Sequence, residues 1–480
     1  MDYSQFLMMP QEIGLLVVIL LVFFYDLFMP KKSQSSLPVF GAAVFGLYTI
    51  ASCFFLTQGT AFAGMYESTV ATGCIKIILN IGVLLVLVQS IQWANSEFVS
   101  VRRGEFYTLL LVTLLGMYFM VSARHFLLFV IGLETASLPL AALVAFDKNH
   151  YESHEAAAKY MFTAIFSSAI FMLGLSYVYA LSGSLYFTDI YAAISGNTGA
   201  LLVVALAFVI SGVGFKLSLV PFHLWTADVY QGAPTAVTSY LSVISKGAGA
   251  FAFFVILTQV FGTVYSQVWE WMLYALIILT ITIGNLFAIR QKNLKRFLAF
   301  SSISQAGYII LGVIAANSLG LASLMFYILV YIVSNLGAFG VIQTVESNTG
   351  KVGMDDYNGL YKTNPKLSFA MMLSMFSLAG IPPFAGFFSK FFIFSSALES
   401  GSMALYILVL IALVNTIISL YYYLLVVKAM FINENEEPLP AFRSALSDRL
   451  AIFVCVLGIL LIGISSCIYT TLVHAAQVSM

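Results

Sequence analysis

The sequence predicts an all-α, polytopic membrane protein of about fourteen transmembrane helices. Three observations predict it. Of 480 residues, 61% are hydrophobic and only 9% charged, where a soluble domain carries roughly 25% charged residues. Apolar segments approaching the ~20 residues that span a bilayer recur along the whole chain. The positive charge between them falls on alternate loops, the pattern of a chain threaded back and forth through a membrane.

The segments lie near 11–29, 37–57, 72–93, 106–121, 125–146, 159–181, 200–221, 235–258, 270–289, 297–316, 322–344, 367–397, 404–430 and 449–471, numbered one to fourteen below. The first, Ile13–Met29, lacks a basic leader and precedes Pro30, Lys31 and Lys32, so it reads as a retained helix rather than a cleaved signal. Segments four and five are parted only by the turn Ser122-Ala123-Arg124. Numbering each loop after the segment before it, the odd loops hold Lys31, Lys32, Arg102, Arg103, Lys148, Arg290, Lys292, Lys295, Arg296, Lys351, Lys362, Lys366, Arg443 and Arg449. The even loops hold Arg124, with Lys76 at a helix start. This asymmetry puts the odd loops in the cytoplasm and both termini outside.

No soluble domain is expected. The longest loops, Glu346–Lys366 and Asn433–Asp448 with its Glu434, Glu436 and Glu437, are too short to bury a core. The formal net charge is zero, so nothing points to nucleic acid. Cys53, Cys74, Cys455 and Cys467 are scattered, which predicts no disulfide, zinc site or iron–sulfur cluster.

Segments seven (GVGFKLSLVPFHLW) and twelve (SLAGIPPFAGFFSKFF) each combine glycine, a proline break, aromatics and one lysine. Proline removes a backbone donor and breaks a helix. A broken helix at membrane depth is tolerated where it is buried in protein or lines a wet cavity. The two segments lie five helices apart, an odd number, so they run in opposite directions. Interrupted helices at matching points of inverted repeats mark a transport site.

Four charged residues stand deep in apolar segments: Glu134 in segment five, Lys216 before the first break, Lys246 midway along segment eight, and Lys390 after the second break. Each is flanked by too much apolar sequence to reach an interface easily. Intramembrane ionisable groups are expensive and functional by default. Burial disfavours the charged form of acid and base alike, and a nearby opposite charge restores it. A Glu–Lys pair of changing separation is therefore a switchable proton site. A lysine row suits protons and suits Na⁺ poorly, since Na⁺ needs oxygens. The expectation is that Glu134 tunes Lys216, Lys246 relays and Lys390 passes the proton on, with hydroxyls such as Ser211, Ser218, Thr235 and Ser242 completing a water path.

Blander readings stand beside this one. Lys159, at the start of segment six, can snorkel to the cytoplasmic face and is a lesser member of the relay. Pro221 and Pro382 mark the breaks. His223, with Trp225 and Asp228, is either a gating group or polar lining. His150 and His154 have i,i+4 spacing beside Glu155 and read as a solvated loop. Tyr421, Tyr422 and Tyr423 read as a packed or interfacial band.

Long motifs then carry a resemblance: FYTLLLVTLLGMYFMVSARHFLLFVIGLETASLPL, GFKLSLVPFHLWTADVYQGAPTAVTSYLSVISKGAGAF, NLKRFLAFSSISQAGYIILG, YIVSNLGAFGVI and SLAGIPPFAGFFSKFFIF. From about Glu105 to Lys428 the chain resembles the subunit N family of bacterial proton-pumping NADH:quinone oxidoreductase, respiratory complex I. The resemblance implies two inverted five-helix repeats. They divide the chain into 1–104 (three helices), 105–258 (segments four to eight), 259–430 (segments nine to thirteen) and 431–480. It implies a bacterial inner-membrane translocase subunit with periplasmic termini and no cofactor of its own. NADH, FMN, iron–sulfur clusters and quinone would sit on other subunits. Its partners would be other membrane subunits of the complex, a second antiporter-like subunit and a small carboxylate-bearing one among them, with lipids around it. The family's channel groups fall on Glu134, Lys216, Lys246 and Lys390, with Lys159 lesser.

Lys390 fits subunit N, where the sister subunit's equivalent resembles a glutamate. The chain also stops soon after its last helix, without the long lateral helix of the largest antiporter-like subunit. Gln305 departs from the family, which often has histidine in the SSIS-x-x-GY motif; glutamine binds water but cannot titrate. Competing readings are an Mrp-like cation/proton antiporter, the equivalent subunit of a complex fed by another donor, and a structural subunit that conducts nothing.

Overall fold

The computed structural model describes residues 3–30, 34–96, 99–196, 199–262, 269–399, 401–435, 438–465 and 467–480. Lys31, Lys32, Glu436 and Glu437, named above for loop charge, lie outside the described residues. All fourteen segments are helical. Twelve, by length and composition, are long and apolar enough to cross a membrane. The other two are segment two, Leu37–Ser52, and the broken segment twelve, Pro365–Ala379 plus Ala385–Leu398.

Local chemistry sets the helix ends. Thr69 and Thr72 form a reciprocal capping box at the start of segment three, Val70–Ala94. The Asn293 side chain accepts from the Lys295 and Arg296 N–H groups at the start of segment ten, Leu294–Ile314. Gly183 and Gly350 end the 32-residue helices of segments six and eleven, Tyr151–Ser182 and Ser318–Thr349, in the left-handed conformation.

Segments eight, ten and eleven are buried on nearly all sides and form the centre. A helix that is apolar all round belongs there. Segments one, six, thirteen and fourteen turn large apolar side chains such as Phe24, Phe166, Leu410 and Phe453 outward.

Sequence patterning missed four features. A short hairpin pairs Gly59–Ala61 with Tyr66–Ser68. A short helix covers Phe187–Ile194. The region predicted as segment fourteen divides into Leu446–Ile464 and Cys467–Ser479. Segment eight contains a π-helical turn at Leu241–Ser245, directly before Lys246; such turns recur at functional sites.

The two breaks share one backbone plan. Segment seven runs Ala200–Leu217, caps at Ser218 (φ 61°), and resumes at Leu224–Gly232. Segment twelve caps at Gly380 (φ 87°) and resumes at Ala385. In each, a cis proline, Pro221 or Pro383, follows three residues after the cap.

Candidate functional site

The break in segment seven leaves Lys216 in the last turn of its first half, 4% exposed. Its ammonium donates to the Ser137 hydroxyl at 2.9 Å. Ser137 stands one turn on from Glu134, so it shares a face of segment five with the acid. The Glu134 carboxylate accepts from the Ser168 hydroxyl on segment six. Acid and lysine thus line one crevice, each bonded to a different serine. Glu134 is only half-buried, in a crevice between segments five and six that Lys216 and Ser137 also line. The apolar flanks that predicted a buried acid are present, but segment five lies near the outside of this chain.

Lys216 and Lys246 are neighbours across the interior. A Cβ added at Gly249, one turn past Lys246, would sit 3.4 Å from Lys216 Cγ. In and just after the break, the Ser218 and Thr226 hydroxyls and the Trp225 indole N–H are buried without a protein partner. Buried polar groups are almost always satisfied by protein or water, so these orphans call for water.

Lys246, 1% exposed, donates to the Ser302 carbonyl at 3.0 Å and its hydroxyl at 2.6 Å. Its ammonium also lies over the Tyr230 ring, 5.7 Å from the centroid. Ser302 is three residues before Gln305 on segment ten, so both face the same way. The Gln305 amide donates to the Tyr423 hydroxyl at 3.1 Å and, at the longer 3.4 Å, toward the Leu378 carbonyl. Its carbonyl accepts from the Tyr327 hydroxyl.

Lys390, 5% exposed, donates to that same Leu378 carbonyl and to the Ala379 carbonyl, each at 3.0 Å. These carbonyls end the first half of segment twelve, where a helix leaves acceptors unsatisfied and carries partial negative charge. The break therefore makes the site: it exposes two carbonyls for which a lysine substitutes as cap. Lys246 with Ser302, and Gln305 with Leu378 and Lys390, form two buried bonded groups one turn apart on segment ten, with no carboxylate among their members.

The remaining predicted residues lie at its margins. Lys159 is 41% exposed and pairs with Glu155 at 2.7 Å and Asp228 at 2.6 Å. Asp228 also holds Arg296 at 2.6 Å, tying segments six, seven and ten at the odd-loop side. Pro221 and Pro382 are exposed and His223 is half-buried. Of the expected hydroxyls, Ser242 accepts from the Asn335 amide at 2.8 Å, and Ser211 bonds its own helix through Ala207.

Sequence reasoning missed a buried ion pair. Lys76 is not at an interface: it is fully buried and pairs with Glu12 at 2.6 Å. Tyr66 donates to Glu12 at 3.0 Å and accepts from Lys76 at 3.2 Å. The helix starts at Val70 rather than near 72, and the hairpin brings Tyr66 over Lys76. The available signal was a glutamate and a lysine, each just inside the start of an apolar run, on segments one and three.

Two helices broken to one plan around a row of buried lysines define an antiporter-like membrane subunit. The chain belongs to the family described as NADH:quinone oxidoreductase/Mrp antiporter, whose transmembrane model matches residues 123–419. It is 55% identical over 477 residues to NADH-quinone oxidoreductase subunit N of Phocaeicola vulgatus, covering 99% of this chain and 100% of that one. Its fold superposes on a chain of respiratory complex I from Thermus thermophilus with bound aureothin, at a TM-score of 0.79 and 30% identity, covering 94% of this chain and 96% of that one. A chain of the Mrp complex from Dietzia sp. DQ12-45-1b gives a TM-score of 0.85 at 20% identity, covering 100% and 98%, which is likeness of fold alone.

Proposed function

We propose that this chain is a membrane-arm subunit of a proton-pumping NADH:quinone oxidoreductase and moves protons along Glu134, Lys216, Lys246 and Lys390. The observation that carries the reading is the buried polar row of Lys246 with Ser302 and, one turn along segment ten, Gln305 with Leu378 and Lys390. Ammonium groups hold and release protons without the oxygen cage that a metal cation needs. Each lysine donates to a carbonyl or hydroxyl that also accepts from water. The orphaned groups in and just after the break support water in the first half of the path.

The repeats, 105–258 and 259–430, would each contribute one break to this axis. The odd loops face the cytoplasm of a bacterial cell and the termini the periplasm. Glu134, half-buried on an outer helix, faces a neighbouring subunit that carries its own carboxylate; changes there reach Lys216 across the crevice that both line. Lys159 steadies Asp228 at the cytoplasmic side and joins the relay only indirectly. Hydride and electron chemistry, with NADH, FMN, iron–sulfur clusters and quinone, belongs to other subunits.

Assembly is tested by a native gel of mildly solubilised membranes, stained for NADH oxidation and probed for this chain. Co-migration with a large NADH-oxidising band is expected. Migration alone, or with a large band that ignores NADH, overturns the assignment in favour of an antiporter or another donor.

A further inference from the structure

We infer that Glu346 is the proton-collecting group of a hydrated vestibule on the odd-loop side, feeding Lys246 along segment eight. The inference rests on the proposed function and on its cytoplasmic assignment of the odd loops.

A polar cavity opens where the ends of segments three, five, eight, ten and eleven converge. Glu346, Lys295 and Thr235 line it together. The Thr235 hydroxyl donates to Glu346. Lys295, 5% exposed, approaches Glu346 at 3.4 Å and donates to the Ala233 carbonyl at 3.0 Å. Asp147, His150 and Glu152 also line it, with His150 on Asp147 at 2.7 Å. Three carboxylates against one buried lysine give the cavity a cation-attracting balance. A cleft lined by one sign of charge concentrates the opposite ion.

A second observation points to water within it. Gln343 lines the cavity and is almost wholly buried, yet its side-chain oxygen has no protein partner. Its amide is fixed on the Gln89 carbonyl at 2.8 Å, so the orphaned oxygen is held in place.

The floor leads inward. Thr235 begins segment eight, and Ser239 and Ser242 follow at i+4 and i+7, all buried. The Ser242 carbonyl accepts from the Ser302 hydroxyl, to which Lys246 also donates. The eleven steps from Thr235 to Lys246 span roughly 16 Å, a distance that a few waters and hydroxyls in file would bridge. Ser239 and Ser242 spend their protons on backbone carbonyls, leaving lone pairs to accept from water.

The test uses the whole complex in inverted membrane vesicles, with NADH-driven proton uptake measured from pH 6.5 to 8.5. Glu346→Gln is expected to lower the initial pumping rate on the order of tenfold at pH 8, with the deficit shrinking toward pH 6.5, where bulk protons replace the lost collector. Glu346→Asp should restore the rate. Thr235→Val should give a smaller deficit of the same pH form, which keeps the idea testable if Glu346→Gln assembles poorly. Wild-type pumping by Glu346→Gln at every pH, or a loss independent of pH, overturns the inference. Lys246→Ala in the same series separates the two levels: if it abolishes pumping while Glu346→Gln pumps as wild type at every pH, the relay stands and the vestibule falls. If it also pumps normally, the proposed function itself fails.

Discussion

Gln305→Ala tests the row at its least expected member. Each of Gln305's partners has its own circumstances after truncation. The Leu378 carbonyl keeps Lys390, and the Tyr423 hydroxyl keeps Ser301. The Tyr327 hydroxyl loses its acceptor. One buried group left unsatisfied costs ~1–3 kcal/mol of local stability. Loss of one neutral hydrogen bond along the path, ~0.5–1.5 kcal/mol, slows a transfer step roughly two- to tenfold. Lys216→Ala, by contrast, removes a proton carrier outright. Initial rates of NADH-driven acidification in inverted vesicles, normalised to assembled complex, should therefore rank Gln305→Ala between wild type and Lys216→Ala. Gln305→His should recover most of the rate, since imidazole restores an acceptor and a donor. If Gln305→Ala is as severe as Lys216→Ala, a neutral group is indispensable and the ranking is wrong.

Lys76→Met should destabilise the detergent-solubilised complex by ~3–5 kcal/mol because Glu12 is left charged and buried. Glu12→Gln/Lys76→Met together should recover much of that in thermal unfolding, and a double variant no better than the single would count against the pair. Asp228→Asn should cost only about 1 kcal/mol, since both of its ion pairs are partly exposed; pumping should stay within a factor of about two of wild type by the same reckoning. Gly386→Ala should prevent normal assembly, because its Cβ would fall 1.7 Å from the Ser377 carbonyl oxygen; native-gel yield reads this directly.

The all-helical membrane fold, the two breaks and the central lysines were legible because apolar runs recur along the chain and membrane depth makes polar residues conspicuous. Lys246 and Lys390 stand alone in apolar runs and need no partner to be noticed. What periodicity could not supply was the set of neutral groups between them. Ser302, Tyr230 and the Leu378 carbonyl are ordinary in sequence and become a path only when segments eight, ten and twelve converge. Glu12 and Lys76 escaped for the opposite reason. Each sits near a helix end, where a charge is cheap at an interface, and only the hairpin and neighbouring tyrosines show that these ends are covered. Glu134 stood out correctly as an acid in an apolar run, but a sequence does not say whether the run faces the interior or a neighbour.

Lys246 is the junction of the account, reached by the hydroxyl file of segment eight and bound to Ser302 at the start of the row to Lys390. The most direct measurement is therefore the ratio of protons pumped to NADH oxidised by the complex carrying Lys246→Ala in inverted vesicles. The account predicts that pumping collapses and coupled electron transfer slows with it. A wild-type ratio at a wild-type rate would contradict proton transfer through this chain's lysines.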